Sequence, residues 1–264
     1  MATLANDNVS YLEIGKLIEQ DTVLAGNVLR MVNSAAYNLR SQVTSIAYAV
    51  SILGLDKLRN MALAIAVTRM WSSAQAAPGW SAPRFNQHSL ATAMLADAMA
   101  LQLRVDYPEG AFLAGLMHDL GKLLVASSMP ADYMDIEAEF ERTGASWEEC
   151  ESMVLGLDHS GISAMALEQW KLPEPIVRAV RMHHQPELIA GGLIPLSLAI
   201  RTSSDVATHM GYTIRAPKPS APAEDPKEGR AKAEAALDRV DAGVKAPKVL
   251  DAFLQEFEAV RGLF

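Results

Sequence analysis

Apolar residues recur at three- and four-residue intervals along most of this chain and nowhere show sustained alternation with polar ones, so the pattern predicts an all-α protein with essentially no sheet. The clearest stretch is AFLAGLMHDLGKLLVA, residues 111–126. There Phe112, Leu113, Leu116, Met117, Leu120, Leu123 and Leu124 mark one continuous helix with buried faces. Upstream, residues 9–19 read as a first helix carrying Tyr11, Ile14, Leu17 and Ile18. Asp21 caps a second, with Val23, Leu24, Val28, Leu29 and Val32, which Asn33-Ser34-Ala35 breaks. A third, 44–53, stops at Gly54, and Asp56 caps a fourth carrying Leu58, Met61, Ala62, Ile65 and Ala66. Short helices of this kind need packing partners, which predicts a small bundle.

The polar segment 72–84, with its prolines and glycine, is the main internal boundary. Beyond it the pattern predicts helices at 86–103, from Pro130 to about 142, and from the capping box Ser146/Glu149. Others run from the Asp158 cap to 170, from Pro173/Pro175 to His183-His184, and from Pro195 to Gly211. Between 214 and 246 the composition shifts: Pro217, Pro219, Pro222 and Pro226 sit among alanines and charges, which predicts a flexible linker. A last amphipathic helix, 247–264, carries Val249, Leu250, Phe253, Leu254, Phe257 and Val260. The expected organisation is a small N-terminal helical lobe (1–75) packed on a larger one (76–213), then linker (214–246) and tethered helix (247–264).

Charge narrows the function classes. The formal net charge of −8 and the absence of a lysine/arginine run argue against a nucleic-acid partner. A single cysteine, Cys150, rules out an internal disulfide and a thiolate zinc site. The N-terminal residues lack a signal-peptide pattern and no apolar run is long enough to span a bilayer, so a cytoplasmic location without membrane attachment is expected.

Candidate chemistry lies in six histidines, five of which (His88, His118, His159, His183 and His184) fall on or at the ends of predicted helices between residues 88 and 184. Helical bundles build metal sites from side chains on facing helices. His88, His118, Asp119 and Asp205 form one candidate ligand set, with His159, His183 and His184 available for a second ion. Nitrogen and oxygen donors without thiolate suit Fe, Mn, Zn or Mg. Such an ion could activate water against a phosphate ester, with Asp119 and Lys122 as the residues for that chemistry. Each histidine also has a plainer reading as a core or helix-end residue, and His118-Asp119 as a buried ion pair.

The order His88, His118-Asp119, Asp205 resembles that of the HD superfamily of metal-dependent phosphohydrolases. The stretches IEQDTVLAGNVLRMVNSAAY (18–37), IAYAVSILGLDKLRNMAL (46–63), AFLAGLMHDLGKLLV, DHSGISAMALEQWKLPEPIVRAVRMHHQP (158–186) and SLAIRTSSDVA (197–207) resemble, more closely, the HDOD domain, the HD-related output domain of bacterial signalling proteins. The resemblance covers roughly residues 9–212 and implies a two-lobe helical fold and a regulatory role in bacterial signal transduction. HDOD domains are generally regarded as output modules without established phosphohydrolase activity. The segment after His183-His184 is Gln185-Pro186, without the GYP-type sequence of cyclic-di-GMP phosphodiesterases, so that activity is not implied. The function expected is a regulatory module that acts by binding other signalling proteins, with the His/Asp site vestigial or a sensor of a metal or small phosphorylated ligand without turnover; the alternative is a metal-dependent phosphohydrolase. Because the first predicted helix lies close to the start, inputs are expected through non-covalent partners or the C-terminal segment.

Overall fold

The computed structural model describes residues 11–33, 39, 42–72, 75–185, 187–216, 225–240 and 242–261. Fourteen α-helices are present among them, with no strand; pairing is limited to isolated bridges such as Val105 with Ile194. The chain divides into two compact units, Met1–Ser73 with Leu254–Phe264, and Ala74–Phe253.

The first unit contains α1 (Tyr11–Gln20), α2 (Thr22–Val32), α3 (Ile46–Leu53) and α4 (Leu55–Ser72). Asp21 caps α2 by accepting the Val23 and Leu24 amides, each at 3.0 Å. Asn33 ends that helix and closes the following loop: its side chain donates to the Leu29 and Val43 carbonyls and accepts the Val43 amide at 2.7 Å. Ser34 to Tyr37, the polar and small residues after the break, lie outside the described residues. Ile18, Val28, Met31, Ala49, Leu58 and Ile65 are buried, on the apolar stripes of these four helices. The fourth helix begins at Leu55, so Asp56 sits in its first turn rather than capping it.

The second unit is built around α5 (Ala82–Gln102), which packs on α6 (Ala111–Met117) and on α12 (Leu196–His209). Ser81 caps α5 and Pro83 fits its first turn, so this helix starts four residues before the expected 86. Next come α7 (Leu120–Ser128), α8 (Pro130–Thr143), α9 (Trp147–Leu155), α10 (His159–Gln169) and α11 (Glu174–Met182). The Ser146/Glu149 capping box and the Asp158 cap open α9 and α10. Among the described residues, no helix is long and apolar enough to cross a membrane.

Two further expectations are corrected. The stretch 111–126 is not one helix: α6 and α7 are separated by a turn at His118-Asp119. The cause is tertiary. Ser163 of α10 donates to the His118 carbonyl at 2.9 Å and accepts the Gly121 amide at 2.7 Å, and Lys122 bonds back to the Asp119 carbonyl. A side chain inserted into the hydrogen-bond ladder breaks a helix at that point.

The second correction concerns 214–246. Residues 217–224, with three of its four prolines, lie outside the described residues, but 226–237 form a helix, α13 (Pro226–Leu237), followed by short 3-10 turns. Asp225 caps it, Pro226 occupies its first turn, and Arg230 pairs with Glu234 at 3.0 Å. Ala233, Ala236 and Leu237 are buried, and α13 packs on α12. Small apolar residues at helical spacing bury enough surface when a close neighbour receives them, which composition alone understates. The last helix, α14 (Ala246–Val260), has Asp251 paired with Arg230 at 2.9 Å in the second unit and Glu256 paired with Lys57 in the first.

Candidate metal centre

All five histidines between 88 and 184 meet at one carboxylate in the second unit. Asp119, 1% exposed, stands at the break between α6 and α7, where the turn frees its side chain from a helical face. Its Oδ2 lies 3.5 Å from His88 Nε2, 3.3 Å from His118 Nε2 and 3.0 Å from Lys122 Nζ. Its Oδ1 lies 3.0 Å from His159 Nε2 and 4.0 Å from His183 Nε2. Two overlapping groups result, His88–His118–Asp119 and Asp119–His159–His183–His184, each with ligand atoms within 4.8 Å of one another. Asp119 belongs to both.

Close helix packing makes this convergence. A Cβ on Gly115 of α6 would come within 2.8 Å of the Ala93 Cα on α5, so glycine there lets α6 approach the helix that carries His88. On α7, a Cβ at Gly121 would meet the His159 carbonyl oxygen at 2.2 Å, and α10 rests directly on that backbone. His183 and His184 follow α11 in a turn rather than ending the helix itself.

Each inner imidazole is oriented through its other nitrogen. Nδ1 of His88 lies 2.7 Å from the Tyr212 carbonyl, that of His118 2.8 Å from Gly115, and that of His183 2.6 Å from Val180. A carbonyl only accepts, so Nδ1 carries the hydrogen in all three and Nε2 presents its lone pair inward. His159 Nδ1 is held by a carboxylate, Glu151 Oε2, at 2.6 Å, and the same oxygen accepts the His159 backbone amide at 2.8 Å. Glu151 is itself fixed by the Trp147 indole, which donates to Oε1 at 2.8 Å. Hydrogen bonds of this kind hold metal-ligating histidines in their tautomer.

Electrostatics keep most of these donors neutral. Burial pushes His88 down to about 4, with further opposition from His118. Burial and the neighbouring histidines drive His183 well below its ordinary value, and burial with His159 brings His184 to about 3. For His159, burial and Lys122 oppose protonation, but Glu151 and Asp119 on either side outweigh them and raise it to about 9. Burial would raise the Asp119 carboxyl, yet His118, Lys122 and His159 hold it well below the usual carboxylate range. Lys122, desolvated but facing Asp119, Glu151 and Glu148, is raised.

The residues fit a divalent metal. His118 Nε2 and His183 Nε2 are buried without a hydrogen-bond partner among the described residues, an expensive arrangement unless an electrophile occupies the space between them. Neutral imidazoles and one carboxylate are a donor set for Mn, Fe or Zn, less so for Mg, which prefers oxygen.

Of the residues singled out in the sequence, His88, His118, Asp119, Lys122, His159, His183 and His184 come together, while Asp205 does not. Its carboxylate, about two-fifths exposed, pairs with Arg239, and its neighbour Ser204 faces the cluster, with Oγ 3.2 Å from His88 Nε2. One residue along a helix is a rotation of about 100°, which residue order cannot resolve. Glu151, Trp147 and Ser204 were missed. Glu151 reads as one more acid in the run WEECE, and only its position beneath His159 distinguishes it.

Fold and site together define an all-α protein with an HD-type histidine–aspartate centre. The HDOD domain family profile matches residues 1–186, and the chain belongs to the HDOD domain family. Among solved structures, an HDOD domain protein of unknown function from Geobacter sulfurreducens is similar with a TM-score of 0.76 and 21% identity, over 100% of this chain and 89% of that one. A candidate phosphohydrolase from Shewanella amazonensis SB2B gives a TM-score of 0.73 at 21% identity, over 98% of this chain and 90% of that one. At such identities the likeness is one of fold. An uncharacterized protein of Treponema pallidum (strain Nichols) is 27% identical over 185 residues, 69% of this chain; the match spans 35% of that relative's length.

Proposed function

We propose that this chain is a bacterial signalling module whose second unit binds one or two divalent metal ions at the Asp119 cluster and, through them, a phosphate ester that it hydrolyses. The observation that carries this reading is the inward aim of the imidazole Nε2 atoms at one shared carboxylate, those of His118 and His183 buried without partners among the described residues. A core ion pair needs neither five histidines nor lone pairs turned toward an interior point.

A bound divalent ion there would supply Lewis-acid polarisation of a phosphoryl oxygen and a water of lowered pKa. His88, His118 and Asp119 would hold one ion, and Asp119, His159, His183 and His184 a second. Lys122, next to Asp119 and partly open to the adjoining cavity, is placed to neutralise phosphate charge. Glu151 orients His159, and Trp147 orients Glu151.

Assayed with bis-p-nitrophenyl phosphate and Mn²⁺, the purified chain is expected to release p-nitrophenol, and Asp119→Asn to lose that activity by at least about a hundredfold, because it takes the charge from the one carboxylate that both candidate groups share. No turnover above the metal blank by the wild-type chain would overturn the hydrolytic part of the reading.

A second reading rests on Ser204 and Asp205. With a hydroxyl against His88 and the neighbouring carboxylate engaged by Arg239, a first ion would find only three protein ligands, His88, His118 and Asp119. On that reading the centre senses a phosphorylated ligand without turnover and passes the signal to other signalling proteins. Metal and phosphate binding without hydrolysis would select it.

A further inference from the structure

The metal cluster opens on a cavity of about 270 Å³ with an aromatic side, where Phe140 of α8 and Trp147 of α9 stand 5.7 Å apart. Another part of the wall is not helical. Residues 211–216, which follow α12, contribute Thr213, Ile214 and Arg215 to it. This short segment is attached at three points. The Tyr212 amide donates to the Ala207 carbonyl, and the Tyr212 ring meets Phe253 edge-on at 6.2 Å. Arg84 of α5 donates to the Thr213 hydroxyl at 3.2 Å and to the Arg215 carbonyl at 3.5 Å. At the far end the Arg215 guanidinium covers two ring faces, 4.1 Å from the Phe140 centroid and 5.0 Å from that of Trp147. Glu141 at 3.0 Å and Glu137 at 3.7 Å, both on α8, hold it there.

These attachments reach both candidate ligand groups. The Tyr212 carbonyl is the acceptor that orients His88. Trp147, beneath Arg215, donates to Glu151, and Glu151 holds His159. One end of the segment therefore fixes a histidine of the first group, and the other supports the chain of contacts that fixes a histidine of the second. The far attachment is also a weak one. Arg215, Glu137 and Glu141 have side chains 31%, 36% and 41% exposed, and ion pairs at such exposure contribute little each. The segment can let go at Arg215 without any helix unfolding.

We propose that residues 211–216 form a releasable clasp over the metal centre: fastened by Arg215, the clasp covers the cavity and keeps His88 and His159 aimed at Asp119, and unfastened, it opens the cavity and loosens both ligand groups. The proposal rests on the metal-binding reading above and adds how that site is controlled. Closure that favours metal binding is itself favoured by bound metal, because the coupling is reciprocal. Arg215 acts as a positioning residue, through Trp147 and through the backbone of its own segment.

The test is trypsin cleavage after Arg215, read by mass spectrometry of the fragment that begins at Ala216, with and without Mn²⁺. Wild type is compared with the double variant Glu137→Gln, Glu141→Gln, and both are titrated calorimetrically with Mn²⁺. Without metal, the double variant should be cleaved about three- to tenfold faster, because proteolysis follows the open population and two partly exposed ion pairs are gone. Mn²⁺ should slow cleavage of the wild-type chain severalfold, and the double variant should bind Mn²⁺ about three- to tenfold more weakly. Cleavage after Arg178, inside α11, reports opening of the helices themselves and should be the same in both forms. Equal cleavage after Arg215 in the two forms without metal would overturn the clasp, whatever the titration shows of the metal. Faster cleavage in the variant with unchanged Mn²⁺ affinity would overturn its coupling to the centre. No Mn²⁺ uptake by either form would overturn the metal-binding reading and the coupling with it.

Discussion

At the residue scale, the candidate centre depends on which nitrogen of each histidine faces inward. Carbonyls at Tyr212, Gly115 and Val180 and the carboxylate of Glu151 fix that choice for four of the five. Glu151→Gln keeps a similar shape but removes the charge opposite His159, and a single amide oxygen cannot serve Trp147, the His159 ring and the His159 amide as two carboxylate oxygens do. Mn²⁺ affinity is expected to fall by about 10–100-fold, the usual effect of losing such a partner, with the far-ultraviolet spectrum unchanged. Unchanged affinity in a metal titration would show that Glu151 is only a packing residue. The ligand-type residues themselves were legible because histidine is rare and sat on strongly periodic helices. Glu151 was not, since an acid on a short helix usually faces water, and Ser204 was not, because the pattern could not say whether it or Asp205 turned inward.

At the element scale, two close backbone approaches set the geometry. Gly121→Ala would place a methyl 2.2 Å from the His159 carbonyl oxygen, backbone against backbone, so α7 and α10 must separate. The expected cost is at least about 1–3 kcal/mol of stability, and thermal denaturation should show it as a lowered Tm. An unshifted Tm would mean the two helices are not held as described. Helix caps behave more independently. The Leu24 amide above all depresses the Asp21 carboxyl; burial opposes it, and the Val23 amide and Arg69 add to the lowering. A depressed folded value stabilises above the unfolded pKa of about 3.9 and ceases to do so as pH falls through the folded one. Asp21→Ala should therefore lower Tm at neutral pH, and the gap from wild type should narrow only below about pH 4. A gap constant across that range would exclude the charged cap. Most helices could be read in advance because caps and apolar stripes are local signals. The turn at His118-Asp119 could not, because its cause, Ser163, is brought in by tertiary folding. Helix α13 was hidden by prolines, one of which, Pro226, starts it.

At the scale of the whole molecule, a small helical unit and a larger one share a chain that belongs to the HDOD domain family, and the chemistry gathers in the larger. The resemblance carried by the NSA-containing segment and the His118-Asp119 helix therefore anticipated the family and fold class. It did not show that Asp119 would be shared by two groups, nor that an aromatic cavity would adjoin them, since both arise from contacts between residues far apart in sequence. The proposed metal centre rests on imidazoles held in the tautomer that exposes Nε2. The most direct test of that claim is elemental analysis of the protein, purified without chelator or metal-affinity tag and then equilibrated with Mn²⁺, beside Asp119→Asn. The account predicts one or two divalent ions per wild-type chain and a clear loss in the variant. A wild-type chain that is well folded, metal-free as purified, and takes up no Mn²⁺ would contradict it.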